Sequence, residues 1–239
     1  LQSVDDRRRR GAFFTPPDVA AALVAEVVDS GTVLDPACGS GVFLLAAARR
    51  LLGNGVADRG SIVRRHLFGS DVDPASVEAT RRVLGAWAGV ESDEVSGVVM
   101  ADPLHDATDP WPGRPTHGFD AVVGNPPFLG QLRSSTAGTG ADRAVLRERF
   151  GDLVGAYTDV AWLFLALGLE VLAPGGRMLL IQPQSLLAAR DAGPVRDRLV
   201  TAGRLTGLWL DRSGIFAGHT EVCAPLVDAR ATGSQPDGP

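Results

Sequence analysis

The side chains most capable of chemistry fall in a few short stretches. LDPACGSGVFLLAAARR, Leu34 to Arg50, places a carboxylate, Asp35, before a turn holding Gly39 and Gly41. Glycines there let a ligand approach the backbone closely, and the helix that follows offers N–H groups without internal partners. The same pattern fits an ordinary strand-to-helix turn. A dinucleotide fingerprint would need a third small residue where Leu44 stands. Asp71, in SDVDP, can accept two hydrogen bonds from a ribose diol. It could equally cap the helix that Pro74 opens, a task Asp73 suits better. Asp102, in MADPL, could accept from an adenine amino group or serve its own turn.

The sharpest signal is NPPF, Asn125 to Phe128. Consecutive prolines, Pro126 and Pro127, stiffen the backbone and bring no competing N–H donors. The Asn125 side-chain carbonyl and the Pro126 backbone carbonyl can both accept from one planar amino group. Phe128 offers a face on which a flat ring can stack. A loop with an aromatic plug is the plain alternative.

These groups need elements to hold them, and the pattern predicts strands alternating with helices. A helix is expected over Asp18 to Val28 and a strand over Thr32 to Leu34, ending at Asp35. A helix over Val42 to Leu52 and a strand over Leu67 to Ser70, ending at Asp71, come next. Pro74 opens another helix, and strands follow over Val95 to Met100 and Phe119 to Val123. That alternation implies parallel βαβ units and a doubly wound, mostly parallel α/β sheet. Ligands bind such sheets beyond the carboxyl ends of the strands, where Asp35, Asp71, Asp102 and Asn125 are all expected. Gly130 to Ala141 reads as a mobile loop, and Ala156 to Leu172 as a buried helix. Pro174 to Gly176 reads as a turn into a strand over Arg177 to Gln182. Val195 to Ala202 reads as a helix, and Thr206 to Leu210 and Val222 to Ala229 as strands.

Composition narrows the function classes. The chain has 239 residues, of which 45% are hydrophobic and 21% charged, which excludes global disorder. Residues 1–230 are expected to form one catalytic domain, with 231–239, ATGSQPDGP from Ala231, as a linker to a further region. The opening Leu1 reads as the start of an excised piece, and no signal peptide or membrane span is visible, so a cytoplasmic setting is expected. Cys38 and Cys223 exclude a disulfide scaffold, and Cys38 reads as a small packing residue. His66, His105, His117 and His219 show no metal-ligand spacing and read as loop or surface residues. Ser40 lacks the surroundings of a nucleophile elbow. All 23 basic residues are arginine and the net charge is −5. Nucleic acid would therefore have to be held by a local patch or by a separate region. Arg7 to Arg10 could touch phosphates, but a terminal charge run is more often simply solvated.

Taken in order, FTPP (Phe14 to Pro17), DPACGSGVFL, DVDP, ADP, NPPF and YTDVAWLFLALGLEVLAPGGRMLLIQP resemble the gamma-type adenine-N6 DNA methyltransferases of restriction-modification and phage-defence systems. GIFAGHTEV, Gly214 to Val222, resembles their late Phe-containing loop. The resemblance implies a Rossmann-like, seven-stranded fold, S-adenosyl-L-methionine as methyl donor, and a flipped-out adenine in double-stranded DNA as acceptor. No metal and no membrane are implied. It assigns Thr15 and Pro16 to a first cofactor-binding element, and Asp35, Ala37, Gly39 and Gly41 to the loop around the methionine moiety. Asp71 becomes the ribose acid, Asp102 the adenine-ring contact, and Asn125, Pro126, Pro127 and Phe128 the catalytic tetrad. Phe216 joins Phe128 at the flipped base. The family carries a target-recognition domain beyond this core, and His219 and Thr220 stand where basic or polar DNA contacts are expected. Other readings are an RNA or protein-glutamine methyltransferase with an NPP-type tetrad, and a catalytically silent DNA- or partner-binding subunit of a defence system. Cytosine-N4 methylation is disfavoured, because that group usually has Ser in place of Asn125.

Overall fold

The computed structural model describes residues 15–106, 109–128, 140–211 and 221–229. Helix α1 (Pro17–Val27) opens on proline, whose missing N–H would have no helical partner there in any case. It buries Val19, Ala20, Leu23, Val24 and Val27 along one side. Strand β1 (Val33–Asp35) ends on the carboxylate, and α2 (Val42–Gly53) starts after Gly41, in left-handed backbone at φ 81°. Helix α3 (Arg59–Arg65) begins on Asp58, which accepts from the Ser61 N–H, and leads to β2 (Leu67–Asp71). Asp73 caps α4 (Pro74–Ala88) by accepting from the Ala75 N–H, which leaves Asp71 free of that task. Then come β3 (Val98–Met100), β4 (Phe119–Gly124) and α5 (Gly140–Phe150). The second half continues with α6 (Val160–Val171), β5 (Leu172–Leu180), β6 (Gln182–Pro183), α7 (Ser185–Ala188), α8 (Gly193–Ala202), β7 (Gly203–Leu210) and β8 (Val222–Ala229).

The strands form one sheet in the order β3-β2-β1-β4-β5-β8-β6, with β7 also on β8. The pairs β1–β2, β1–β4, β2–β3 and β4–β5 are parallel, and β8 runs antiparallel to β5, β6 and β7. Among the described residues the sheet has eight strands against an expected seven. The extra one, β6, is a two-residue segment separated from β5 by Ile181 alone, and both lie along β8. After β3 the chain returns to the far side of β1, so strand order reverses between β1 and β4. Their carboxyl ends, carrying Asp35 and leading into Asn125, flank the crevice where doubly wound sheets take ligands.

One core joins α1 to α4 to a face of the sheet, through Leu23, Phe43, Leu51, Ile62 and Leu84. The other joins α6 and α8 to the opposite face, through Leu163, Leu165, Leu167 and Leu199. The expected helix from Ala156 starts four residues later. Thr158 turns the chain first, its hydroxyl donating to the Leu153 carbonyl, and Asp159 then caps α6. Pro174 to Gly176 form a bulge inside β5 in place of the expected turn. The register against β4 jumps from Phe119↔Leu172 to Ala121↔Arg177, and a Cβ on Gly176 would come within 2.8 Å of the Phe119 carbonyl. Helices α3, α5 and α7 were not anticipated. The first two are short polar or mixed stretches whose apolar stripe is narrow, and α7 is a single turn. The expected loop from Gly130 lies almost wholly outside the described residues, as do Arg7 to Arg10, Phe14, Phe216, His219, Thr220 and 230–239.

Candidate active site

The glycine turn is tied down from several directions. Asp35 accepts from the Ala37 N–H at 3.1 Å and is 1% exposed. The Ser70 hydroxyl at the end of β2 donates to the Pro36 carbonyl, and the Cys38 N–H donates to the Ser70 carbonyl. The Thr80 hydroxyl of α4 donates to the Gly39 carbonyl at 2.8 Å. A Cβ on Gly41 would lie 2.9 Å from Thr80, whereas one on Gly39 would meet nothing within 4 Å among the described residues. Gly39 therefore faces open space, in left-handed backbone at φ +53°.

Asp71 completes the turn. One carboxylate oxygen accepts from the Gly39 N–H at 2.9 Å, and the other accepts from the Asp73 N–H at 2.9 Å. Each oxygen keeps acceptor capacity for a further donor. Burial pushes the Asp71 carboxyl above the ordinary carboxylate range, while the Asp73 and Gly39 N–H groups pull it back. For Asp35 burial dominates more strongly, and its pKa is pushed up to about 8, with the nearby Asp71 charge adding to the rise. Burial also holds the Cys38 thiol well above its usual value, which fits a packing residue. Next to Asp71, Val72 is 65% exposed, an apolar surface at the strand end that the sequence reading did not single out.

Asp102 is engaged by its own turn. Its Oδ1 accepts from the Leu104 N–H at 3.1 Å, and its Oδ2 lies 2.8 Å from His105 Nδ1. His105, expected as an ordinary loop residue, is half-buried in that turn. His66 likewise sits half-buried, with Nδ1 2.8 Å from the Gly31 carbonyl. Among the described residues, no cluster of acidic, histidine or cysteine side chains could hold a metal ion.

At the end of β4, Gly124 is wedged against Asp35. A Cβ there would come within 2.5 Å of Asp35 Oδ1, so β1 and β4 meet at the start of the NPPF segment. The Ile181 N–H donates to the Gly124 carbonyl at 2.9 Å and pins that point from the β5 side. The Asn125 amide is half satisfied. Its Nδ2 donates to the Thr15 hydroxyl at 3.2 Å, while its buried Oδ1 has no hydrogen-bond partner among the described residues. Thr15 is 2% exposed, at the head of α1, and Pro16 beside it is half-buried. Phe128 is 3% exposed and packs into the core shared with α1 to α4, so its ring face is covered in this structure. The structure thus gathers Thr15, Asp35, Gly124 and Asn125 into one place, with the Gly39–Asp71 pair joined to it through the turn.

A doubly wound, mostly parallel sheet with a buried acid, an open glycine turn and an asparagine-proline element at the switch point defines the class I methyltransferase architecture. The chain belongs to the N-6 DNA methylase family, whose model matches residues 3–226. It is similar to the type II methyltransferase M.TthHB8I of Thermus thermophilus, 27% identical over 231 residues, covering 95% of this chain and 46% of the relative. It is also similar to the methylase subunit of the type I restriction enzyme MjaIX of Methanocaldococcus jannaschii. That match is 34% identical over 121 residues, covering 49% of this chain and 19% of the relative. The methyltransferase subunit of a type I restriction-modification system from Streptococcus thermophilus shares the fold. It has a TM-score of 0.69 and 21% identity, covering 95% of this chain and 46% of the other. The chain spans less than half the length of these relatives.

Proposed function

We propose that the chain transfers a methyl group from S-adenosyl-L-methionine to the N6 amino group of an adenine flipped out of DNA. The observation that carries this reading is the half-satisfied Asn125 amide. A buried carbonyl without a donor is costly, roughly 1–3 kcal/mol, and a substrate amino group would relieve it. Family membership supports the same chemistry.

The residues present fit the methyl donor. Gly39 leaves space that any side chain would fill, Asp71 keeps acceptor capacity for a ribose diol, and exposed Val72 offers an apolar surface beside it. Pro16, Asp35, Ala37 and Gly41 are the neighbouring residues assigned to the same donor. Asp102, held by its own turn, keeps capacity for one further donor from an adenine ring. When bound, S-adenosyl-L-methionine supplies an electrophilic methyl on a positively charged sulfur. The chain's own task is alignment and electrostatics. The Asn125 side-chain carbonyl and the Pro126 carbonyl accept the two amino hydrogens and draw the nitrogen toward tetrahedral geometry. The donor would supply the methyl group, and Asn125 and Pro126 would hold the amino nitrogen that takes it and gives up a proton. Pro127 stiffens the segment, and Phe128, buried in the core here, is the residue assigned to stack on the flipped base. The amino group is paired inside a duplex, so the adenine must leave the stack to reach Asn125. With a net charge of −5, the chain works with a separate DNA-recognition region.

The test is product analysis. DNA incubated with the protein and methyl-labelled cofactor is digested to nucleosides and resolved by mass. The expected product is N6-methyladenine. Label in N4-methylcytosine, in RNA or in protein would overturn the assignment.

A further inference from the structure

A primary amide can sit either way round in nearly the same space, yet its two ends are chemically opposite. Only an outward Asn125 carbonyl accepts from a substrate amino group, and an outward NH2 would set donor against donor. Among the described residues, the hydrogen bond made by this amide goes to a residue 110 positions earlier in the chain, Thr15. Asn125 Nδ2 donates to Thr15 Oγ1 at 3.2 Å, which occupies the donor end and leaves Oδ1 as the open valence. Thr15 is almost wholly buried, so bulk water does not compete for that hydroxyl. The backbone on the Asn125 side is also fixed, since Gly124 is held between Asp35 and the Ile181 N–H. Among the described residues, the Thr15 hydroxyl is thus the side-chain contact that restrains rotation of the amide.

We propose that Thr15 is a positioning residue for methyl transfer, restraining the Asn125 side chain so that its carbonyl stays in place to accept from the substrate amino group. This rests on the reading of Asn125 as the acceptor for that amino group. It differs from a role for Thr15 in cofactor binding, because it places the effect on the rate with cofactor saturating.

Thr15→Val keeps the shape and removes the hydroxyl, whereas Thr15→Ser keeps the hydroxyl. Three quantities are measured: single-turnover methylation of DNA carrying unpaired adenines, cofactor affinity by calorimetry, and the Asn125 side-chain NH2 resonances by NMR. A net hydrogen bond of ordinary strength corresponds to roughly a threefold to tenfold effect. The expected result is a Thr15→Val rate lower by about that factor at saturating cofactor, with the cofactor dissociation constant changed by less than about twofold. The Asn125 NH2 signals should shift and exchange faster with water, and Thr15→Ser should recover most of the rate and the parental signals. A rate loss that vanishes as cofactor is raised would assign Thr15 to cofactor binding and overturn the proposal. An undiminished Thr15→Val rate, or unchanged Asn125 signals, would overturn it too. Asn125→Ala runs alongside: if it retains the parental rate, the reading of Asn125 fails and this proposal with it. If Asn125→Ala is inactive while Thr15→Val is not, only the positioning role fails.

Discussion

The glycine turn after β1 and the NPPF segment after β4 lie side by side, yet their polar groups are in opposite states. In the turn, donors and acceptors are matched before any ligand arrives: Ala37 to Asp35, Gly39 and Asp73 to Asp71, Thr80 to Gly39, Ser70 to Pro36. At Asn125 one end of the amide is paired and the other is left open in a buried position. A matched network makes a rigid cradle whose function is shape and spare acceptor capacity. A buried acceptor left unmatched is a reservoir of interaction that only the right donor can draw on. The difference predicts that damage to the turn appears in cofactor affinity, and damage at Asn125 in rate.

The larger effect on the binding side is expected at Asp71. Replacing it with Ala removes the anchor of the Gly39 N–H together with the spare acceptor capacity. Loss of a charge-assisted hydrogen bond costs about 1.5–3 kcal/mol, or roughly a 10- to 150-fold rise in the cofactor dissociation constant by calorimetry. Asp71→Asn, which keeps an acceptor, should lose less. An unchanged dissociation constant in Asp71→Ala would break the assignment of affinity to the turn.

A smaller effect is expected from pH. The Asp35 carboxyl, pushed up to about 8 by burial, holds its proton in the folded state far longer than in the unfolded chain. Below the unfolded value both states are protonated and the contribution to stability is fully present. As pH rises through the window between them the unfolded chain ionises freely while the fold does not. Stability of the ligand-free protein should therefore fall from pH 5 to pH 8 and level off once the folded carboxyl also ionises. A drop in Tm on the order of 5 °C across that window is expected by calorimetry. Asp35→Asn should flatten the slope while keeping an acceptor for the Ala37 N–H. An equally steep slope in that variant would place the titration elsewhere.

Much of the crevice was legible because its signals are local. A strand, a carboxylate at its end and a glycine turn lie within a few consecutive residues, and so do β2 with Asp71 and β4 with NPPF. The alternation of elements was likewise enough to predict a mostly parallel, doubly wound sheet. What was not legible depends on contacts between distant segments. Nothing in the local sequence says that Thr15 meets Asn125 or that Gly124 abuts Asp35. The bulge at Pro174 to Gly176 arises from register against β4, not from the turn-forming residues alone. For Asp102 and Phe128 the sequence leaves the turn and plug readings open beside the functional ones, and how their turns pack decides between them.

The central claim is that Asn125 acts on the transition state and not on the cofactor. Single-turnover methylation by Asn125→Ala, with cofactor affinity measured on the same preparation, tests it most directly. The expected result is a rate lower by about 10²–10³ with a cofactor dissociation constant within about twofold of the parent, as for loss of one preorganised electrostatic contact. A near-parental rate, or a loss that tracks weakened cofactor binding, would contradict the claim.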